Sequence, residues 1–257
     1  LARKWISREY QIFHFLYGEN SYRYLGGLKK TNQKNYIICT FHAPPDKFAR
    51  VVQNRNHLQK IDMAVVVSKM QIAYFEQLLG RDRVFYIPHG IDTDYFKPSK
   101  EKRDRTNRLR CLCVGRHLRD YKTLAGAARI LERENDRIQF NIVTGSKVHA
   151  LFSRRNNVRM YSNITDAQLL TIYQQSDVLT LPLENATANN SLLEGMACGL
   201  PVISTDLEAV HDYTHKDCVI LTPKGDHAAL AEAVLSLFEN PEQRKKMSSA
   251  SRQCALK

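Results

Sequence analysis

The sequence predicts an α/β protein made of doubly wound parallel sheets, and three observations support this prediction. From residue 109 onward, short apolar strands alternate with amphipathic helices. Capping residues, glycine and proline mark where the helices begin and end. The 257 residues exceed the usual size of one domain, so two domains are expected. Such alternation produces a parallel sheet with helices on both faces.

Six strands are predicted in the second half of the chain, from their short apolar or β-branched runs. They span 109–114, 140–143, 158–161, 178–183, 202–205 and 218–221. The helices between them present apolar stripes at helical spacing, for example Leu124, Ala128 and Leu131. A further stripe consists of Leu230, Ala233, Val234 and Leu237. Thr165 and Gln168 form a capping box that predicts the start of another helix.

The first hundred residues show the same pattern with fewer elements. Strands are predicted at 11–15, 36–41, 63–67 and 84–87, with helices between them. The polar segment 99–108 has no periodicity and is interpreted as a linker between a domain at 1–98 and one at 109–257. Because the first domain shows only four strands and the chain does not begin with methionine, we expect a truncated first domain within a longer protein.

Composition favours an ordinary globular protein and restricts its partners. The net charge is +12, and the first 104 residues carry 18 basic and 10 acidic side chains. A basic first domain suits a phosphorylated ligand or peripheral contact with an anionic membrane surface. No nucleic-acid motif is present, so nucleic acid is not an expected partner. The six scattered cysteines, none in a Cys-x-x-Cys pair, are interpreted as reduced thiols of a cytoplasmic protein.

The segment 185–205 contains a glutamate that raises a question of function. Ser191 and Glu194 fit the Ser-x-x-Glu capping box, and Gly199 with Pro201 predicts the end of the same helix. Helix capping alone is a sufficient explanation for Glu194. A functional role for this carboxylate requires support from other parts of the sequence.

Residues that follow the predicted strands supply that support. Ligands of parallel sheets bind outside the carboxyl ends of the strands. Gly115, Arg116 and Lys122 follow the strand at 109–114, where two cations beside a helix start predict an anion site. Gly145 follows the next strand. Ile164 follows the third, and the loop from Glu184 to Glu194 follows the fourth.

Several motifs in one order resemble the retaining family 4 glycosyltransferases of the glycosyltransferase-B (GT-B) fold. The resemblance covers most of the chain. The motifs are VFYIPHGIDTDYFKP, VGRHLRDYKTLAGAARIL, YQQSDVLTLPL and SLLEGMACGLPVIST, followed by the tail LFENPEQRKKMSSASR. The resemblance implies two Rossmann-like domains, the first apparently incomplete, and a metal-independent transfer of a hexose from a nucleotide diphosphate sugar to a hydroxyl acceptor. That acceptor is expected to be a glycan or a lipid-linked saccharide, as in polysaccharide biosynthesis.

The resemblance also implies roles for individual residues. Arg116 and Lys122 match the pair that stabilises the departing diphosphate, and His42 matches a histidine of the first domain that faces the donor sugar. Glu194 matches the glutamate that binds the donor ribose. The implied donor-binding residues are Gly115, Gly145, Ile164, Glu184, Asn189, Asn190, Ser191 and Glu194. The nucleotide sugar is a co-substrate, and neither a resident cofactor nor a metal site is expected.

Two departures from the family pattern leave an alternative open. Many members carry Glu-x7-Glu, but Ala186 stands eight residues before Glu194, and Glu184 is two positions out of register. Leu207 and Glu208 stand where the family has Gly-Gly. The missing first glutamate and the incomplete first domain favour, as the main alternative, a non-catalytic module that binds nucleotides or sugar phosphates. A nicotinamide dehydrogenase would need Gly-x-Gly-x-x-Gly after a strand, which the sequence lacks.

Overall fold

The computed structural model of the chain describes residues 9–20, 32–52, 55–99, 107–153 and 155–257. The chain folds into two compact units, Leu1–His89 and Gly90–Lys257. The segment 90–99 packs within the second unit, where the Arg252 guanidinium donates to the carbonyl oxygens of Phe96 at 3.0 Å and Thr93 at 3.1 Å. Most of the predicted linker, 99–108, lies outside the described residues, so its boundaries stay a prediction.

The first unit contains a sheet of four parallel strands that pair in chain order. The strands are β1 (Gln11–Phe15), β2 (Asn35–Phe41), β3 (Met63–Val66) and β4 (Val84–Tyr86). All four were predicted, with ends that differ by one residue at most. Helices α1 (Pro45–Val51) and α2 (Ile72–Leu79) lie between strands, together with short 3-10 helices at Arg55–Lys60, Lys69–Gln71 and Arg81–Arg83.

An aromatic cluster forms the core of the first unit. The Phe41 ring of β2 stacks on Phe75 of α2 with centroids 4.6 Å apart, and Phe48 of α1 meets both rings edge-on. All three side chains are fully buried. Successive strands that run parallel and lie side by side take right-handed crossovers, which place α1 and α2 on the same face of the sheet.

The second unit contains a six-stranded parallel sheet. Its strands are β5 (Leu109–Val114), β6 (Ile138–Val143), β7 (Val158–Tyr161), β8 (Val178–Leu181), β9 (Val202–Thr205) and β10 (Val219–Thr222), arranged in the order β10-β9-β8-β5-β6-β7. Read from the other edge, this order is the doubly wound 3-2-1-4-5-6 arrangement. The predicted α/β class is therefore confirmed. The order reverses between β5 and β8, and this is the switch point at which such sheets bind ligands.

Among its described residues, the second unit contains six α-helices and a 3-10 helix at Ser146–Phe152. The α-helices are α3 (Tyr121–Glu134), α4 (Asp166–Gln175), α5 (Asn190–Ala197), α6 (Glu208–His211), α7 (His227–Glu239) and α8 (Pro241–Ala255). The predicted stripes on α3 and α7 face the core, where Leu124, Leu131, Leu230 and Leu237 are fully buried. The Thr165–Gln168 capping box of α4 forms as predicted. Among the described residues, no helix is both long and apolar enough to cross a bilayer.

Gly126 allows α3 and α7 to approach closely. A Cβ atom added to Gly126 would lie only 2.7 Å from the Cβ of His227 at the start of α7. Because that neighbouring atom is anchored to its backbone, a side-chain rotation cannot relieve the clash.

We therefore expect Gly126→Ala to destabilise the second unit by about 1–3 kcal/mol, the usual cost of overpacking. Helix propensity alone predicts the opposite sign, a gain of about 1 kcal/mol. Thermal or urea unfolding distinguishes the two. Gly90→Ala is the matched control, because a Cβ there meets nothing within 4 Å. A Gly126→Ala variant more stable than the parent would contradict the close approach of α3 and α7.

Candidate active site

The loops after β5 and β8 lie on either side of the switch point and are joined by backbone hydrogen bonds. The amide of Asp120 donates to the carbonyl oxygen of Pro182 at 2.9 Å, and the amide of Glu184 donates to Leu118 at 2.9 Å. Leu118 adopts the left-handed conformation, with φ of 58°. Arg119 and Leu183 form a short antiparallel bridge between these contacts. The two loops are therefore held together as one structure.

Arg116 and Gly145, both predicted site residues, are brought together at this edge of the sheet. A Cβ atom built on Gly145 would lie 3.3 Å from Arg116 Nε, so the exposed arginine side chain passes over this glycine. Gly115 precedes Arg116 with φ of 118°, a conformation that favours glycine. Its amide donates to Val143 at 3.0 Å, which ties the β5 loop to the end of β6.

Lys122 is the second residue of α3, and its side chain is exposed. The start of α3 is less open to an anion than the sequence suggested. Asp120 caps this helix, accepting the amide of Thr123 at 3.0 Å and the Thr123 hydroxyl at 2.7 Å. Within the described residues, Arg116 and Lys122 form neither ion pairs nor hydrogen bonds, so both cations are available to a ligand.

The predicted capping box at the start of α5 is wrong. The N-cap is Asn189, whose side chain accepts the amide of Leu192 at 3.2 Å. Ser191 is the second residue of the helix, and Glu194 lies in its second turn, too far along to cap it. Sequence pattern alone could not separate these registers, because asparagine and serine are comparable N-caps. Helix capping therefore does not explain Glu194.

The end of α5 agrees with the prediction. Gly199 has φ of 73° and donates its amide to Met196 at 2.9 Å. The amide of Leu200 reaches back to Gly195, also at 2.9 Å. These two bonds form a Schellman motif, which requires a left-handed residue after the helix.

Arg119, which is not among the predicted site residues, links β5 to α5. Its Nε donates to the carbonyl oxygen of Val114 at 2.8 Å, and its Nη1 donates to His117 at 3.0 Å. Its Nη2 donates to Asn189 Oδ1 at 3.0 Å and to Ser191 Oγ at 3.1 Å. A third arginine or lysine between Arg116 and Lys122 could have been noted in the sequence, but its partners are distant in the chain.

Glu194 is half-buried and hydrogen-bonded to one side chain of α4. The hydroxyl of the fully buried Tyr173 donates to Glu194 Oε2 at 2.7 Å. Burial raises the pKa of the Glu194 carboxyl above its ordinary value, while the Tyr173 hydrogen bond and the charge of Arg119 act in the opposite direction. Tyr173 therefore fixes one carboxylate oxygen, and Oε1 is left as the atom that can meet a ligand.

The loop between β8 and α5 carries the departure from Glu-x7-Glu. Ala186, at the position of the first glutamate, is buried, whereas Glu184 is exposed. The backbone pairing of Glu184 with Leu118 places it beside the β5 loop. Of these two positions, only Glu184 presents a carboxylate at the edge of the sheet.

Ile164 and His42 complete the set of predicted site residues. Ile164 is half-buried and lies between Asn163, with φ of 54°, and the capping box that opens α4. His42 belongs to the first unit and follows β2. Its Nε2 lies 2.8 Å from the Leu16 carbonyl oxygen, and its amide donates to Glu19 Oε1 at 2.6 Å. The imidazole ring and the backbone amide of His42 are therefore both held by residues that follow β1.

His89, which is not among the predicted site residues, lies beside His42 in the first unit. The two imidazole centroids are 5.6 Å apart with the rings perpendicular. Burial lowers the pKa of His89, and the nearby His42 lowers it further. The His42 ring also lies 4.9 Å from the Tyr17 ring. The carboxyl ends of the strands of this unit thus carry a small aromatic and imidazole cluster.

Possible metal ligands are engaged in other contacts. His211 pairs with Asp206 at 2.7 Å, and His215 pairs with Asp217 at 3.0 Å, all largely exposed. The Asp-x-Asp sequence at 92–94 forms a turn in which Asp92 accepts the amides of Asp94 and Tyr95. No cluster of three or more His, Cys, Asp or Glu side chains within the described ranges is arranged to hold a metal ion.

This doubly wound sheet, with cations and a helix start at its switch point, defines a class of α/β proteins that bind anionic ligands such as nucleotides. Residues 108–240 match the family described as Glycosyl transferases group 1, over a little more than half of the chain. The chain belongs to this family.

Curated relatives cover most of this chain. The phosphatidyl-myo-inositol mannosyltransferase of Mycobacterium leprae is 26% identical over 83% of this chain and 61% of its own length. The D-inositol 3-phosphate glycosyltransferase of Geodermatophilus obscurus is also 26% identical, over 76% of this chain and 50% of its own length. The chain thus spans less than two thirds of the length of these two relatives.

Solved structures share the fold. Sucrose-phosphate synthase of Thermosynechococcus elongatus superposes with a TM-score of 0.80 at 20% identity, covering 95% of this chain and 68% of that one. HepE of Anabaena, solved with UDP-glucose, gives a TM-score of 0.79 at 14% identity, covering 95% and 73%. The predicted GT-B class, with two parallel-sheet α/β units, is confirmed.

The raised pKa of Glu194 predicts how stability depends on pH. Between the ordinary carboxyl pKa of about 4.5 and the higher folded-state value, the folded protein holds more protons than the unfolded chain, so stability falls as pH rises. We expect Glu194→Gln to be more stable than the parent at neutral pH, because it keeps the Tyr173 hydrogen bond without burying a charge. The difference in melting temperature should shrink towards pH 4.5; a difference independent of pH would contradict this explanation.

Proposed function

We propose that this protein is a retaining glycosyltransferase that moves a hexose from a nucleotide diphosphate sugar to a hydroxyl acceptor. The observation that carries the proposal is the grouping of Arg116, the start of α5 and Glu194 around the β5–β8 switch point. Free cations and helix amides suit a diphosphate. A carboxylate with one free oxygen suits ribose hydroxyl groups. Together they match the two polar parts of a nucleoside diphosphate.

In the proposed mechanism, the bond between the anomeric carbon and the diphosphate oxygen breaks while the acceptor oxygen attacks from the same face. The departing diphosphate takes the acceptor proton, and the configuration is retained. Negative charge develops on the diphosphate, where Arg116, Lys122 and the first amides of α5 stabilise it electrostatically. These cations perform the charge stabilisation that a divalent ion provides elsewhere, so we propose that the reaction is metal-independent. His42, carried by the first unit, is the proposed contact for the donor sugar.

The names of the relatives and the ligand of HepE support the choice of proposed substrates. The relatives in mycobacteria are named phosphatidyl-myo-inositol mannosyltransferases, and HepE was solved with UDP-glucose. We propose a nucleotide sugar donor, a glycan or lipid-linked acceptor and no resident cofactor. A lipid acceptor would bring the basic first domain to the cytoplasmic membrane surface, where anionic lipids attract lysine and arginine.

A panel of UDP- and GDP-hexoses, offered with and without glycan and phosphoinositide acceptors, tests this function. We expect release of the nucleoside diphosphate and a product with retained configuration, with EDTA present throughout. Nucleotide binding without transfer or hydrolysis would instead favour a non-catalytic binding module, the alternative to which Ala186 points. Absence of binding to any nucleoside diphosphate would overturn both.

We expect Arg116→Ala combined with Lys122→Ala to lower turnover at least about 100-fold, because removing one preorganised group from a charge-stabilising site typically costs that much. Both side chains are exposed and unpaired in the described structure, so the melting temperature should change little. Arg129→Ala combined with Arg133→Ala, also on α3, is the matched control for charge. Turnover equal to the parent would remove both residues from the mechanism.

We expect Glu194→Ala to weaken nucleoside diphosphate binding by about 1–3 kcal/mol, the usual value for hydrogen bonds to a charged group. The parent should prefer UDP or GDP over the 2′-deoxy analogue, and the variant should lose this preference. Calorimetric titration of both ligands measures the difference. A folded variant that keeps the preference for the ribonucleotide would show that another residue recognises the ribose.

A further inference from the structure

The guanidinium of Arg119 is partly buried and has only uncharged hydrogen-bond partners among the described residues. Four of its five N–H groups donate to two backbone carbonyls, one amide oxygen and one hydroxyl. The fifth, on Nη1, has no acceptor in the described structure. A charge that is partly removed from water is costly unless hydrogen bonds or an opposite charge compensate it. No carboxylate among the described residues accepts a hydrogen bond from the Arg119 guanidinium, although its charge acts on the nearby Glu194 carboxyl.

Gly115 creates the space that this side chain occupies. A Cβ atom added to Gly115 would lie 2.6 Å from Arg119 Nη2 and 2.9 Å from its Cζ. The guanidinium thus lies directly against the backbone at the end of β5. Four hydrogen bonds and this close contact specify a single position for the group.

The charge lies at the end of α5 where it is electrostatically unfavourable in the free protein. The N-terminus of a helix carries a partial positive charge, which favours anions and disfavours cations. Arg119 nevertheless contacts Asn189 and Ser191, the N-cap and second residue of this eight-residue helix. A feature that is unfavourable by itself, but is held in place by the surrounding structure, is typical of a functional site. A bound dianion would turn this repulsion into attraction.

We propose that Arg119 is a positioning residue of the donor diphosphate site, a role that rests on the proposed function. Through Asn189 and Ser191 it sets the start of α5 against the end of β5, so that the first amides of α5 face the diphosphate beside Arg116. Its positive charge adds to the attraction. The residue acts on the diphosphate part of the donor and not on the nucleoside part.

The test compares Arg119→Gln and Arg119→Lys with the control Arg129→Gln, an exposed arginine of α3. The probes are inorganic pyrophosphate, whichever of UDP and GDP binds the parent, and the corresponding nucleoside, each measured by calorimetry. Arg119→Gln should weaken binding of pyrophosphate and nucleoside diphosphate about 10- to 100-fold, as expected for lost charge-assisted hydrogen bonds. Nucleoside binding should change less than about twofold, and Arg129→Gln should match the parent throughout.

Arg119→Lys should lie between the parent and Arg119→Gln, because lysine keeps the charge but cannot reproduce the forked donor geometry. Asn189→Ala combined with Arg119→Gln should weaken diphosphate binding less than the two single changes predict together, because both act through the start of α5. If Arg119→Gln fails to fold, the proposal is tested instead with Arg119→Lys alone and with Arg119→Lys combined with Asn189→Ala.

A merely structural role would lower the melting temperature and leave the diphosphate-to-nucleoside affinity ratio unchanged, which overturns the proposal. Equal loss of diphosphate and nucleoside binding also overturns it. A parent that binds no nucleoside diphosphate refutes the proposed function itself, and the role of Arg119 with it. If the parent binds the nucleoside diphosphate normally and a folded Arg119→Gln variant binds it equally well, only the role of Arg119 is refuted.

Discussion

The backbone pairing of the loops after β5 and β8 is the constraint on which the candidate site depends. At the switch point, neighbouring strands carry their crossover helices to opposite faces, which leaves a gap above the sheet. Here the hydrogen bonds donated by the amides of Asp120 and Glu184 join the two loops at the base of that gap. The segment carrying Arg116 and Lys122 is thereby fixed to the segment leading into α5. Any ligand held by both would meet a rigid frame.

Two partly buried polar contacts add to the pairing of these loops. Arg119 connects the end of β5 to the N-cap of α5, and Tyr173 of α4 holds one oxygen of Glu194. Each contact leaves one polar group without a hydrogen-bond partner among the described residues, an N–H of Arg119 and Oε1 of Glu194. Buried polar groups that are only partly satisfied are costly in a protein without a ligand. Their presence at adjacent points of one sheet edge supports a polar ligand there.

The sequence predicted much of the fold because its periodicities are strong and its helix signals are local. All ten strands were found, and the Gly199 stop of α5 and the Thr165–Gln168 box formed as expected. The start of α5 was predicted wrongly. Asn189, Asn190 and Ser191 are all acceptable N-caps, and in the structure Asn189 takes this position while Arg119 donates to Asn189 Oδ1 and to Ser191 Oγ. The role of Arg119 could not be predicted, because its partners Asn189 and Ser191 lie 70 and 72 residues later in the chain.

What the sequence determined by itself is the α/β class, the strands and the set of residues that follow them, because these depend on local pattern and on the rule for parallel sheets. The tertiary structure alone decided the strand order, and with it the position of the switch point between β5 and β8. It also decided that Glu194 is held by Tyr173, 21 residues earlier, and that Arg119 reaches Ser191, 72 residues later. Hydrogen bonds across such separations arise only when the sheet brings distant loops to one edge, and no local periodicity encodes them.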